Sequence, residues 1–210
     1  MGALTGSMST TKFYVRGDLP KNLRRSFTER IALRTFRPLQ PDEEAEERAG
    51  WCAIGQPLDL ELSPDKVFNG PYLTLGLRVD RYRFPARIVQ AELAKASRTA
   101  LAKSGHERLS RTQKTELKQR VLSQLRKKYF PQMMAVDLVW HLDAGEAYFW
   151  SQSAGVIERL SALFELCFGM TLAQNGPFIA AERVLPEQRR TQLDRLERTL
   201  FHAEVKDGSG

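Results

Sequence analysis

Residues 105–131 read GHERLSRTQKTELKQRVLSQLRKKYFP, in which eight Arg or Lys side chains are opposed only by Glu107 and Glu116. Cations at this density suit one task above others, the holding of phosphate or carboxylate. The tract also reaches upstream. From Arg78 to Lys128 the bases are Arg78, Arg81, Arg83, Arg87, Lys95, Arg98, Lys103, Arg108, Arg111, Lys114, Lys118, Arg120, Arg126, Lys127 and Lys128. Asp80, Glu92, Glu107 and Glu116 are the only acids among them, so fifteen bases against four acids give the segment +11. The whole chain carries +7, which leaves −4 for everything else, and the acidic run at 42–47 contributes to that remainder. An ordinary solvated helix mixes signs and pairs Glu with Lys at four-residue spacing. A concentrated excess of one sign is instead the electrostatic footprint of polyanion binding.

Other chemistry finds little support. His106, His141 and His202 lie far apart, and none has a Cys or carboxylate at ligand spacing. Cys52 and Cys167 are too few for a disulfide framework and are not arranged as a zinc site, so they read as small buried residues. There is no glycine-rich phosphate loop and no nucleophile elbow. Asp137 and Asp143 flank a hairpin and could hold Mg²⁺ in a nuclease, but no third acid joins them in a motif, and turn or strand-edge roles account for both. Tyr72 and Tyr82, beside Arg78, could stack bases on a sheet face or pack across strands. The expectation is a non-enzymatic binding protein without a cofactor or metal.

These side chains must be positioned by a globular chain of 210 residues, long enough for one sizeable core, with 42% hydrophobic and 27% charged residues. No apolar run approaches the roughly 18 residues of a membrane span. The opening MGALTGSMSTT lacks the basic start and apolar stretch of a signal peptide, so 1–11 reads as an appended leader with Met8 as the expected native start. Cysteine usage fits a reducing cytoplasm.

Element signals follow in order. KFYVRG is a strand, and Leu23, Phe27 and Ile31 make the apolar stripe of a helix. After the acidic loop, Gly50 and Trp51 open a short strand. Leu58, Leu60 and Leu62 alternate with Asp59 and Glu61, which predicts a half-buried strand. In PYLTLGLRVDRYRFP one face carries Leu73, Leu75, Leu77 and Val79, and the other Thr74, Arg78, Asp80 and Tyr82. Pro85 opens a helix with Val89, Leu93, Ala96 and Ala100 on its seam, ended by Gly105. Ser110 and Gln113 have capping-box spacing ahead of a helix with the seam Leu117, Val121, Leu125 and Tyr129. AVDLVWHL, DAG and EAYFWSQ form a hairpin. Ser153 caps a helix ending at Gly169, a looser segment follows, and 184–210 reads as a polar helix and tail with Leu193, Leu196 and Leu200 on one side. Strands and helices mix without βαβ alternation, which predicts an α+β fold with mixed or antiparallel sheets, packed helices and a projecting, finger-like pair of basic helices over 85–131.

The run RLSRTQKTELKQRVLSQLRKKYF followed by VDLVWHLDAGEAYFWSQSAGVIERLSALFELCFG resembles the middle of the recombination-associated protein RdgC family. That family has a Lys-rich LKxxVLxxLLPRAF helix, a hairpin with an Ile-Asp step and a helix ending in LRxxLG. AGWC resembles its Gly-Trp strand, and LRVDRYRFPARIVQAEL its strand leading into a Pro-started helix. The likeness runs in order from about Lys12 to Phe178, within an RdgC-like region over 12–183. It implies a cytoplasmic, nucleoid-associated protein that binds DNA without sequence preference and restrains RecA-driven strand exchange. It also implies a homodimeric ring with a basic inner surface around the duplex. Lys118 matches a lysine of the family helix. Phe130 matches the aromatic that closes it, at a dimer contact in the finger, whereas the residues alone make Phe130 a core anchor at a helix end. Arg126 and Lys127 stand where the family has Leu-Pro, so the helix is expected to run on unbroken, and the family's C-terminal third has no counterpart.

The DNA-binding set is therefore Arg87, Lys95, Arg98, Lys103, Arg108, Arg111, Lys114, Lys118, Arg120, Arg126, Lys127 and Lys128, acting on double-stranded DNA, with single strands left open as a second substrate. Lipid is the weaker partner, because the first basic helix is mostly Ala where a membrane-binding helix has bulky apolar groups. Two alternatives stay open: a protein-interaction module whose basic face meets an acidic partner or RecA, and a metal-dependent nuclease using Asp137 and Asp143.

Overall fold

The computed structural model describes residues 2–4, 9–104, 108–186 and 189. Its elements are β1 (Thr11–Arg16), α1 (Leu23–Leu33), β2 (Glu47–Cys52), α2 (Pro64–Val67), β3 (Phe68–Asn69), β4 (Tyr72–Arg81), α3 (Ala86–Ser104), α4 (Arg111–Arg126), β5 (Gln132–His141), β6 (Glu146–Phe149), α5 (Ala154–Phe168), β7 (Thr171–Gln174) and α6 (Pro177–Val184). The strands make one antiparallel sheet in the order β2-β4-β5-β6-β1-β7, with β3 paired to β4. The α+β class is as the sequence predicts. No described helix is long and apolar enough to cross a membrane.

The spine of the sheet is the long β4–β5 pair, in register from Tyr72↔His141 to Arg81↔Gln132. Its apolar row of Leu73, Leu75, Leu77 and Val79 is buried, and α1 and α5 contribute Phe27, Ile31, Leu160, Phe164 and Phe168 to the same core. Trp140 from β5 sits at the centre, its ring 5.2–5.5 Å from those of Phe27, Phe164 and Phe168. Each such fully buried side chain is worth about 1.5–3 kcal/mol of apolar transfer, so this cluster dominates the stability of the molecule. The helical stripe and strand alternation read from the sequence thus meet at one interface. Gly169 ends α5 at φ +70°, where a Cβ would be strained.

Arg78 and Asp80, on the face of β4 opposite the leucines, are only 8% and 4% exposed. The two form a bidentate pair at 2.9 and 2.7 Å; Arg78 also donates to the Pro57 carbonyl and stacks 4.1 Å over the Phe36 ring. The covering comes from the segment after β2. Gly76 permits it, because a Cβ there would lie 2.7 Å from the Cys52 sulfur. That segment holds Leu58, Leu60 and Leu62, and it is not a strand. It folds back on itself through Ala53 N–H to the Asp59 carbonyl at 2.9 Å, and Leu58 is 75% exposed.

Two further corrections concern ends. Ser153 makes no side-chain cap to α5, and its N–H instead donates to the Ser151 hydroxyl at 3.2 Å. The looser segment after α5 contains β7, paired to β1, and then α6. Of the polar helix and tail expected over 184–210 only 184–186 and 189 are described, with Val184 ending α6; Leu193, Leu196 and Leu200, together with Met8, His106 and His202, lie outside the described residues.

Candidate nucleic-acid interface

The helices that carry the basic tract form for local reasons. In α4 the capping box is made in full, with Gln113 N–H donating to the Ser110 hydroxyl at 3.2 Å and Ser110 N–H to the Gln113 side-chain oxygen at 2.9 Å. Its seam faces inward as expected, with Leu117 half-buried and Val121 and Leu125 each 3% exposed. The helix ends at Arg126, and Lys127 and Lys128 follow in a turn, so it does not run on through Lys127 as expected. In α3, Ile88, Val89, Leu93, Ala96, Ala100 and Leu101 are half-buried, and no described residue of this helix is fully buried. The helix leans chiefly on α4.

Polar side chains left over from these seams reach water. Of the twelve bases expected to bind DNA, Arg87, Lys95, Arg98, Lys103, Arg108, Arg111, Lys114, Lys118, Arg120, Lys127 and Lys128 are all exposed. None of them is ion-paired to a carboxylate among the described residues, whereas Lys12, Arg16, Arg25, Arg48, Lys66, Arg78, Arg81 and Arg159 all are. Arg111, Lys114 and Lys118 follow i, i+3, i+7 spacing and so share one side of α4.

Arg126 is the exception. Its guanidinium donates to the carbonyls of Glu43 and, at 2.9 Å, of Glu44, and lies 5.9 Å from the Tyr82 ring centre. It is half-buried, and it pins the acidic segment against the end of α4. There Asp42, Glu44, Glu46 and Glu116 line a groove of about 450 Å³ with Arg120 and Arg126. Sequence reading recorded the acidic run as part of the compensating charge and missed its contact with the basic helix. Only the long-range β2–β4 pairing, which carries 42–47 to that helix, makes the two neighbours.

Phe130 is 94% exposed, which rules out the core-anchor reading. Tyr129 beside it turns inward, edge-on to Phe84 at 5.8 Å, and Phe84 stacks on Tyr82. Tyr82, at 7% exposure, therefore packs and has no free face for a base. Tyr72 meets its register partner His141 edge-on at 4.7 Å.

The remaining candidates are brought to different places. Asp137, 5% exposed, accepts from Ala3 N–H at 2.7 Å and Gly55 N–H at 3.1 Å, so its carboxylate ties two backbone segments to β5. Asp143 is exposed in the hairpin turn, and the two do not converge. Among the described residues no group of three His, Cys, Asp or Glu is placed to hold a metal ion. His141 accepts at Nδ1 from Ala144 N–H at 3.1 Å and so holds the turn. Burial pushes the thiols of Cys52 and Cys167 up to about 12 and about 11, which leaves both unreactive near neutrality.

No protein-family model matches the chain, and no curated protein matches it significantly.

Proposed function

We propose that this is a non-enzymatic DNA-binding protein that grips the nucleic-acid backbone, without reading sequence, through the α3–α4 surface. One observation carries the reading: eleven exposed bases on these two helices and their ends lack a carboxylate partner among the described residues. Unpaired, hydrated cations release little when they meet phosphates, and each phosphate contact releases condensed counterions. Gln and Asn do not dominate the exposed positions, so backbone contact fits better than base-edge recognition. A helix of 16–19 residues spans about 24–28 Å, enough to follow a duplex across several phosphates. The ordered likeness to the RdgC family adds a projecting finger, a DNA-encircling homodimer and restraint of RecA-driven exchange to the proposal.

The test is affinity for a random-sequence duplex over a salt series, with wild type beside Lys114→Glu/Lys118→Glu/Lys127→Glu. Wild type should show a log–log slope of about −0.9 per phosphate contact, summing to several contacts. The triple variant should bind every sequence more weakly and with a shallower slope. Unchanged affinity would sink the assignment and favour an acidic protein partner for the same surface.

A further inference from the structure

Phe130 raises a separate question, because a large aromatic at 94% exposure is the most water-exposed apolar side chain among the described residues. Its position has a local cause. It precedes Pro131, whose ring disfavours helical geometry in the residue before it. The chain has left the helix at Arg126 and passes through a turn at Lys127–Lys128, with Tyr129 turned inward and Phe130 outward. Met133 and Met134, 45% and 36% exposed, follow at the start of β5 and point to opposite faces of the sheet.

The bases next to Phe130 in sequence are free of carboxylate partners among the described residues, although the acidic segment pinned by Arg126 also reaches this end of α4. Lys127 and Lys128 precede Phe130 and are exposed, and the β4–β5 register sets Arg81 beside Gln132, two residues on. The acids nearest in that register are occupied: Asp80 is buried against Arg78, and Glu47 is held by Arg159 and lies 3.8 Å from Arg81. An exposed aromatic that follows two exposed lysines fits a nucleobase with its phosphates, since the ring offers a face to stack on and the lysines neutralise the backbone.

We propose that Phe130 is a base-stacking residue for single-stranded DNA, or for a base displaced from a duplex, with Lys127 and Lys128 holding the flanking phosphates. The proposal rests on the backbone-binding reading above and extends it from any polyanionic strand to unpaired bases.

The experiment measures affinity for a mixed-sequence single strand and for the corresponding duplex, using wild type, Phe130→Ala and Phe130→Trp, with particle mass recorded on each sample. Phe130→Ala should lose on the order of 5- to 100-fold on the single strand, the range for one stacked base, and keep its duplex affinity. Phe130→Trp should restore single-strand binding, and 2-aminopurine in the strand should be quenched by wild type and not by Phe130→Ala. Because the ring is exposed, the variants should fold, which circular dichroism checks. Equal losses on both substrates, or no loss on the single strand, would overturn stacking while the wild-type salt slope still stands. A drop from dimer to monomer in Phe130→Ala would assign the residue to a second copy instead. Absence of wild-type binding to either DNA would remove the backbone reading and this one together.

Discussion

Arg78 and Arg126 belong to the same basic tract as Lys114 and Lys118, yet protein atoms claim both guanidinium groups. Arg78 is matched by Asp80, so its removal would leave a buried carboxylate unpaired, a loss of about 3–5 kcal/mol by the behaviour of other buried pairs. Arg159 and Glu47 form the other bidentate pair, joining α5 to β2 across the core edge. The Arg159 guanidinium holds the Glu47 carboxyl below its ordinary 4.5, with Arg81 and Arg83 adding to the effect against some desolvation. A carboxyl depressed in the folded state contributes stability that is fully present above the unfolded pKa and drains as pH falls through the lower, folded value. Glu47→Gln should therefore cost about 1 kcal/mol at pH 7, the scale for a partly exposed bidentate pair, and the gap to wild type should close below pH 4.5. Urea melts at several pH values measure it, and a gap that persists at acid pH would mean that packing, not charge, carries the pair. At this scale the sequence showed residue types and net charge well. It could not show which cations were already taken, because partners such as Glu43, Glu44 and Asp80 are assigned only when the chain has folded.

The two helices and the acidic segment show what local signals can and cannot carry. Both α3 and α4 were legible because apolar spacing, a starting proline and a capping box all act within a few residues. The strand proposed at Leu58–Leu62 failed because three alternating leucines also suit a segment that crosses a sheet face, with Leu60 and Leu62 half-buried and Leu58 in water. Short β7 was missed because four residues give too little pattern, and its pairing with β1 is set from the other end of the chain. Arg126 pins the acidic segment beside Arg120, so its carboxylates lie within the field that phosphates would enter. Replacing Glu44 and Glu46 with Gln should strengthen duplex binding several-fold at low salt. The advantage should fade as ionic strength passes about 0.1 M, where the screening length falls to about 10 Å. A gain that ignores salt would point to loop rearrangement instead.

Across the whole molecule, burial is uneven in a way that exchange experiments can read. The β4–β5 pair is enclosed on both faces over 75–80 and 136–138, whereas no described residue of α3 is fully buried and this helix leans on α4. Amide protons of Leu73–Val79 and Val136–Trp140 should exchange only on global unfolding, and those of α3 by smaller openings that leave the sheet intact. Uniform protection through α3 and β4 would show the helical pair to be one cooperative unit with the core. Fold class was legible because runs of helix and strand signals determine it. Strand order was not, because nothing in the local pattern of Thr11–Arg16 says that its neighbours are β6 and β7. That placement has a consequence for how the protein is made. β1 is made before both of its partners, so its hydrogen-bonding edges stay open until Glu146–Phe149 and Thr171–Gln174 have been synthesised. Synthesis of this chain therefore favours late closure, and a nascent-chain chaperone that shields residues 11–16 would raise the yield of folded protein more than one acting on any later strand.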